Sequence, residues 1–219
     1  MYVPEAFALK DEAYVRDVMD RYGFALLVTA ADGATRASHL PFLFDSERGP
    51  QGTLTAHMAR ANPQWRDLEL LSAKGGEALV IFQGPHAYVS PNWYAGSQAV
   101  PTWNYVAVHA YGTPGLIEDS VRVRALLERL TERHEQCSPK PWSLAGQEEK
   151  YTSAMIRGVV AFEIPVARLE AKAKLNQNKG PEDRAGVIAG LRAADDPLAA
   201  EVAALMDGGL GAGGAGGAG

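Results

Sequence analysis

FALLVTAADGATRASHLPF, residues 24–42, is the stretch of sequence that decides the fold. Two strand-like runs flank Asp32-Gly33, and an Asp-Gly pair in that position is a strong sign of a β-hairpin. Pro41 stands inside the second run. Because proline lacks an amide donor, we expect this strand to lie at a sheet edge, to carry a bulge, or to face a ligand.

Strand-like and helix-like runs alternate along the rest of the chain. Strands are predicted within 52–58, 77–84, 86–90, 100–118 and 157–175, and helices within 10–21, 61–71, 120–136, 147–157, 181–193 and 196–206. Residues 100–118 fit either one long strand or a hairpin that turns near Gly112 to Gly115. Short, closely spaced strands of this kind predict a β-rich α+β fold, an antiparallel barrel with peripheral helices. We expect residues 1–206 to form this domain with its C-terminal helices, and the Gly/Ala-rich residues 207–219 to be a mobile tail.

The composition is that of an ordinary globular chain. Of the 219 residues, 47% are hydrophobic and 21% are charged. The formal net charge of −5 argues against the broad basic field of a self-sufficient DNA binder. The lone cysteine, Cys137, excludes a disulfide framework within the chain and suits a reducing cytosol. Since the start has no signal-peptide pattern and the apolar runs are strand-sized, we expect a cytoplasmic protein without a membrane span.

Residues 55–65, TAHMARANPQW, run from a strand end into a helix start. Free backbone amides and the helix dipole make a helix N-terminus a natural anion site, to which Arg60 and Asn62 add donors. Arginine's planar fork suits a phosphate better than the point charge of lysine does. The alternative is that Arg60 is solvated and Asn62 only caps the helix.

Two aromatic segments carry proline and small polar residues: residues 87–94, AYVSPNWY, and residues 100–105, VPTWNY. Aromatic surface with a few oriented amides and hydroxyls suits a planar heterocycle, although the same side chains also suit a barrel core. Residues 172–179, KAKLNQNK, follow a strand end with three lysines and three amides. This run fits a phosphate or a polar ring edge, or else a solvated loop.

Several other kinds of active site find no support in the sequence. The five histidines lack the spacing of a zinc site, and Cys137 has no evident partner for a nucleophilic role. There is no GxGxxG or Walker A motif, and no pair of carboxylates stands out as a general acid and base. A cofactor that brings its own chemistry explains this pattern better than a catalytic triad does.

Taken in order, MYVPEAF, ASHLPF, HMARANPQW, YVSPNWY, VPTWNYVAVHAYG and KLNQNK resemble the PaiB-like family of FMN-binding negative transcriptional regulators. The resemblance covers roughly residues 1–205. It implies a split β-barrel of the FMN-binding type, in which two subunits pair and each flavin lies at their interface. One departure is Asn176, where the family pattern KLSQN has serine; asparagine is also small and polar.

The resemblance also implies which residues hold the flavin. The ASHLPF strand would run along the isoalloxazine ring, the HMARAN segment would surround the ribityl phosphate, and the two later segments would complete the site from either subunit. The implied cofactor-binding residues are Ser38, His39, Leu40, Pro41, His57, Met58, Ala59, Arg60, Asn62, Thr102, Trp103, Asn104, Lys174, Gln177 and Asn178.

Three functions fit this reading. The first is FMN binding by a homodimer. The second is transcriptional regulation, the family's role, with DNA as a partner that the acidic net charge supports only weakly. The third is an enzyme on the same barrel, either a flavin-dependent oxidoreductase of the reductase or oxidase type or a haem-binding protein with a histidine as axial ligand. The sequence does not identify a substrate or any catalytic residue.

Overall fold

The computed structural model describes residues 1–96 and 99–210. These residues form six α-helices and nine β-strands. The helices are α1 Glu12–Arg21, α2 Gln64–Lys74, α3 Ser120–Glu135, α4 Glu149–Arg157, α5 Pro181–Ala193 and α6 Pro197–Asp207. The strands are β1 Phe24–Ala31, β2 Ala34–Pro41, β3 Leu43–Asp45, β4 Thr53–Ala59, β5 Ala78–Val89, β6 Thr102–Gly112, β7 Gly115–Ile117, β8 Val159–Pro165 and β9 Arg168–Lys174. The predicted β-rich fold with added helices is confirmed.

In this part of the chain the strands form two sheets. One has the order β2-β1-β5-β6-β9 and the other the order β3-β4-β8-β7. The pairs β1–β2, β1–β5, β3–β4, β4–β8 and β7–β8 are all antiparallel. The chain divides into two compact units: a terminal unit of Met1–Val18, Gln83–His109 and the chain from Glu170 onward, and a central unit of Met19–Phe82 and Ala110–Leu169.

The predicted hairpin is confirmed. Strands β1 and β2 pair from Phe24 opposite Pro41 to Ala31 opposite Ala34. Asp32 and Gly33 join them with φ angles of 50° and 73°, the left-handed conformations that a two-residue type I′ turn requires. Strand β2 ends its sheet, so Pro41 lies on an edge strand, as its missing amide predicts.

The core of the central unit is aromatic and aliphatic. The Phe42 ring packs edge-on against Phe82 and Phe162, with centroids 6.2 and 6.0 Å apart. In the same unit, Val123, Leu126 and Leu130 of α3 pack against the β3-β4-β8-β7 sheet. These three residues are spaced three and four positions apart in the sequence, which predicts one apolar helix face. That face is buried.

In the terminal unit, α5 packs against the Pro91–Trp93 turn. A Cβ atom at Gly190 would lie 2.3 Å from Trp93 Cδ2, and one at Gly186 would lie 2.1 Å from Trp93 O. A side chain at either glycine would therefore collide with Trp93, and the close packing of this segment on α5 requires glycine at both positions. Val187 and Leu191, on the same helix, are fully buried.

Residues 100–118 form neither the single long strand nor the hairpin that the sequence allowed, since they divide into β6 and β7. Strands β6 and β7 belong to different sheets, so the chain changes sheets near Gly112 instead of folding back on itself. A Cβ at Gly112 would lie 2.1 Å from Pro165 O, and Ala167 N donates to Tyr111 O at 2.8 Å. This close approach of two backbones, not a hairpin turn, accounts for the glycine.

At the C-terminus α6 ends at Asp207, and residues 208–210 form a turn. The rest of the predicted mobile tail, residues 211–219, lies outside the described residues. No helix within residues 1–96 and 99–210 is long and apolar enough to cross a membrane.

Candidate functional site

The central unit contains an open groove where the edge strand β2 meets the end of β4. Its volume is about 370 Å³. Five residues that the family resemblance assigns to the flavin line it together, although they come from two separate segments of sequence: Leu40, Pro41, His57, Met58 and Ala59. The opposite wall consists of Met155, Gly158 and Val159, which sequence reasoning missed. These three surround the junction between α4 and β8 and carry no polar side chain, so nothing in the sequence marked them.

His57 is the polar side chain of the groove. It lies on β4 opposite Ala161 of β8 and is half-buried. Its Nδ1 atom is buried and has no hydrogen-bond partner among the described residues. Burial lowers the pKa of His57 below its ordinary value, because the charged form loses hydration. The ring is therefore uncharged near neutral pH. A neutral imidazole can donate a hydrogen bond from one nitrogen and accept one at the other.

Asn62 and Ser38 lie beside the groove and hold each other. Asn62 Nδ2 donates to Ser38 Oγ at 2.9 Å, and Asn62 Oδ1 accepts from the backbone amide of Gln64 at 3.1 Å. Asn62 therefore satisfies a backbone amide at the start of α2, as predicted for a cap. It stands one residue before the N-cap position, which Pro63 occupies. His39 is exposed and stacks on the Phe24 ring at 6.0 Å, away from the groove lining.

The Arg60 side chain is exposed and partly engaged. Its Nε and Nη2 donate to the carbonyls of Arg157 and Val159 at 2.9 and 2.8 Å, and its backbone amide donates to Gly158 O at 2.8 Å. These carbonyls stand at the C-terminal end of α4, where the helix dipole favours a cation. Two of the five guanidinium N–H donors are used in this way, and the others remain for a ligand.

In the terminal unit, Lys174 brings three assigned residues together. Its Nζ donates to Thr102 Oγ1 and to Trp103 O, each at 2.6 Å. Burial lowers the pKa of Lys174, and the nearby charge of Lys172 lowers it further. Lys174 forms no salt bridge with any residue in the described ranges. It is a half-buried cation that an anion would stabilise.

Two of the other assigned residues of the terminal unit, Asn104 and Gln177, contact the protein itself. Asn104 is fully buried, its Nδ2 lies 3.3 Å from Met206 Sδ, and its Oδ1 has no partner among the residues described. Gln177 Oε1 accepts from Leu175 N at 2.7 Å, and its Nε2 donates to Ala173 O. Asn178 is exposed.

Asn176, where the family pattern KLSQN has serine, has a structural role. It is buried, with a left-handed φ of 58°, and its Nδ2 donates to Tyr94 Oη at 2.9 Å. Asparagine tolerates this conformation better than most residues, which explains why it suits the turn after β9.

The fold defines a class of protein: an antiparallel, β-rich split barrel with added helices. The sequence model of the family described as "Putative FMN-binding domain" matches residues 1–168. The chain belongs to this family, and FMN is the cofactor that the family match assigns to it. Lys174, Gln177 and Asn178 lie beyond the matched range.

Among curated proteins, the chain is 35% identical over 210 residues to "Protease synthase and sporulation protein PAI 2" of Bacillus subtilis, covering 94% of this chain and 97% of that one. The predicted PaiB-like membership is therefore confirmed, and the similarity extends past residue 168.

Solved structures share the fold at low sequence identity. The flavocytochrome Anf3 from Azotobacter vinelandii superposes with a TM-score of 0.56 at 16% identity, over 84% of this chain and 78% of that one. The FAD and heme binding protein from Mycobacterium smegmatis gives 0.54 at 18% identity, over 83% and 80%. At this identity the likeness shows the fold alone, and it confirms the predicted split-barrel class.

Proposed function

We propose that the chain is a homodimeric flavoprotein that holds FMN in the groove between β2 and β4 of the central unit. The observation that carries this proposal is the shared cavity: ASHLPF and HMARAN are more than ten residues apart in sequence, yet both contribute to one groove. Its apolar walls suit the flat face of a flavin ring, since burying such a face contributes about 25 cal/mol per Å².

The groove accounts for one part of FMN. Its volume of about 370 Å³ is near the lower end of the range for pockets that bury most of a ligand, roughly 300–1,000 Å³. The phosphate requires cationic donors in addition. Arg60, next to Ala59 of the groove, is the proposed phosphate ligand of the central unit, because its guanidinium has donors left over. Lys174 is a separate candidate that the family resemblance assigns to the flavin from either subunit, and its role is tested on its own.

A groove-filling variant tests this placement. Ala59→Trp puts a large ring into the groove, whereas Ala37→Trp puts the same ring on β2 at an exposed alanine that does not line it. We expect Ala59→Trp to weaken FMN at least about tenfold, the effect of a clash of about 1.4 kcal/mol, and Ala37→Trp to leave it unchanged. Flavin fluorescence quenching measures both affinities. Equal FMN affinity in the two folded variants would place the flavin elsewhere.

Pairing of two copies is supported by apolar surface on the terminal unit. Trp103, Tyr88 and Val100 are 53%, 45% and 74% exposed, and the Tyr88 ring stands edge-on to Trp103 at 6.0 Å. Clustered exposed aromatics of this kind mark interaction sites.

Light scattering during gel filtration tests the pairing, with an expected mass twice the 23.4 kDa of one chain. Val100→Asp should shift the protein toward monomer. Val121→Asp, at a valine that is 73% exposed on α3, is the matched control. A monomeric wild-type protein at micromolar concentration would refute the homodimer.

A regulatory role in transcription is proposed from the chain's resemblance to the PaiB-like family of transcriptional regulators. We propose that it is exercised through a protein partner, because three of the four arginines of α3 are engaged in ion pairs. On α3, Arg122 pairs with Glu163 and Arg124 with Glu149, and the Arg133 side chain binds Asp20. A gel-shift assay with promoter DNA across a salt series should give no shift even at low salt. A shift that weakens steeply with salt would establish direct DNA contact instead.

A further inference from the structure

A second cavity of the central unit lies beneath helices α3 and α4. Its volume is about 310 Å³, and the short 3₁₀ turn Leu144–Gly146 and the Trp142 side chain also border it. It is not the groove assigned to FMN, but it adjoins that groove, because His57, Met155 and Val159 line both. Neither the family match nor the relatives assign a ligand to it.

The walls of this cavity are electrically neutral. No Asp, Glu, Lys or Arg is among the described residues that line it. Thr131 Oγ1 already donates to Leu127 O at 2.8 Å, and Thr152 Oγ1 donates to carbonyls of the preceding turn of α4. An anionic or cationic ligand would lose its hydration without gaining a countercharge, so the cavity selects against both.

One polar atom near the cavity wall lacks a partner. His57 Nδ1 is buried without a hydrogen bond to any described residue, and a buried polar atom left in this state is costly. The remaining lining is aliphatic and aromatic, including Ile156, Tyr151 and Trp142. Small-molecule sites have this composition, mostly apolar with a few polar groups that orient the ligand.

We propose that this cavity binds a small, uncharged, mainly aromatic molecule that carries one hydrogen-bond donor, which pairs with the His57 imidazole. The site adjoins the FMN groove and does not depend on FMN for its formation. Its ligand would therefore lie next to a flavin that the same His57 wall contacts.

The fluorescent probe N-phenyl-1-naphthylamine, which is neutral, aromatic and carries one N–H donor, tests the proposal on the full chain, first without FMN and then as FMN is added. We expect saturable binding of one probe per chain. Thr131→Trp fills the cavity from α3 and should weaken the probe at least about tenfold. Val121→Trp adds the same ring to α3 at an exposed position outside the cavity and should leave probe affinity unchanged.

The donor requirement has its own test. Displacement of the probe by 1-naphthol should need a lower concentration than displacement by 1-methylnaphthalene, which has a similar size but no donor. Equal potency of the two compounds would overturn the assigned hydrogen bond to His57. If Thr131→Trp fails to fold by circular dichroism, Leu144→Trp fills the same cavity from the 3₁₀ turn.

Three results would overturn the site itself: no probe binding to the folded protein, equal probe affinity in a folded cavity-filling variant and its control, or displacement of the probe by FMN with one-to-one competition. FMN binding is followed separately through flavin fluorescence. Probe binding without any FMN binding would therefore refute the proposed flavin site and leave the cavity proposal intact.

Discussion

Replacing Lys174 with methionine removes a half-buried cation whose hydrogen bonds both go to neutral acceptors, Thr102 Oγ1 and Trp103 O. Neither residue is buried, so water can take the place of the ammonium group. The substitution also relieves the repulsion from Lys172 that lowers the Lys174 pKa. We expect the unfolding free energy of the FMN-free protein to change by less than about 1 kcal/mol.

FMN affinity should respond far more than stability. A charge-assisted hydrogen bond contributes about 1.5–3 kcal/mol, which corresponds to roughly a 10- to 150-fold change in Kd. We therefore expect Lys174→Met to raise the Kd for FMN by that factor and to leave riboflavin, which lacks the phosphate, unaffected. Titration of each flavin followed by fluorescence quenching measures both constants, and urea unfolding measures stability.

The matched control is Lys74→Met, which removes the same charge from an exposed position at the end of α2. FMN affinity that falls equally in both variants would indicate a long-range charge effect. Equal loss of FMN and riboflavin in Lys174→Met, or no loss of FMN, would refute Lys174 as a phosphate ligand.

Three further outcomes follow from particular contacts. Gly190→Ala places a Cβ 2.3 Å from the Trp93 ring and should cost about 1–3 kcal/mol in urea unfolding, whereas Gly96→Ala meets no atom within 4 Å and should cost far less; equal costs would contradict the packing of α5. Because burial lowers the His57 pKa, the unfolded chain binds more protons, so stability should fall as pH drops below about 6.5; His57→Phe should flatten that loss, and parallel pH curves would contradict it. Asn176→Ala should lower the unfolding free energy by about 1–2 kcal/mol, because alanine is strained at a φ of 58°, and Asn176→Gly should lower it less. Thermal unfolding measures both variants, and a glycine variant less stable than the alanine variant would contradict this reasoning.

Local signals in the sequence predicted the elements well. The Asp32-Gly33 turn fixed one hairpin because few residues adopt two successive left-handed conformations. The helical spacing of α3 predicted its buried face. Which sheet a strand joins was not predictable in the same way. The separation of β6 from β7 depends on the approach of Gly112 to Pro165, and no local pattern encodes a contact between residues more than fifty positions apart.

The sequence predicted which segments belong to the candidate site, and the roles of their individual side chains stay predictions. The segments containing Leu40 and His57 do line one groove. Asn104, which the family resemblance assigns to the flavin, is buried with its Nδ2 beside Met206 Sδ, whereas Trp103 is exposed, because successive side chains of a strand point to opposite faces. Met206 belongs to α6 and is 102 positions from Asn104, so no local pattern predicts this contact.

The two proposed phosphate ligands differ in what an anion would gain from each. Arg60 already faces carbonyl oxygens at the end of α4, whose partial negative charge compensates much of its own. Among the described residues, Lys174 has two neutral acceptors and a lysine neighbour that repels it, and burial penalises its charge. A phosphate next to Lys174 would relieve an existing electrostatic cost, whereas beside Arg60 it would compete with bonds already formed. Lys174, which lies beyond the range of the family match, is therefore the cation with more to gain from a phosphate.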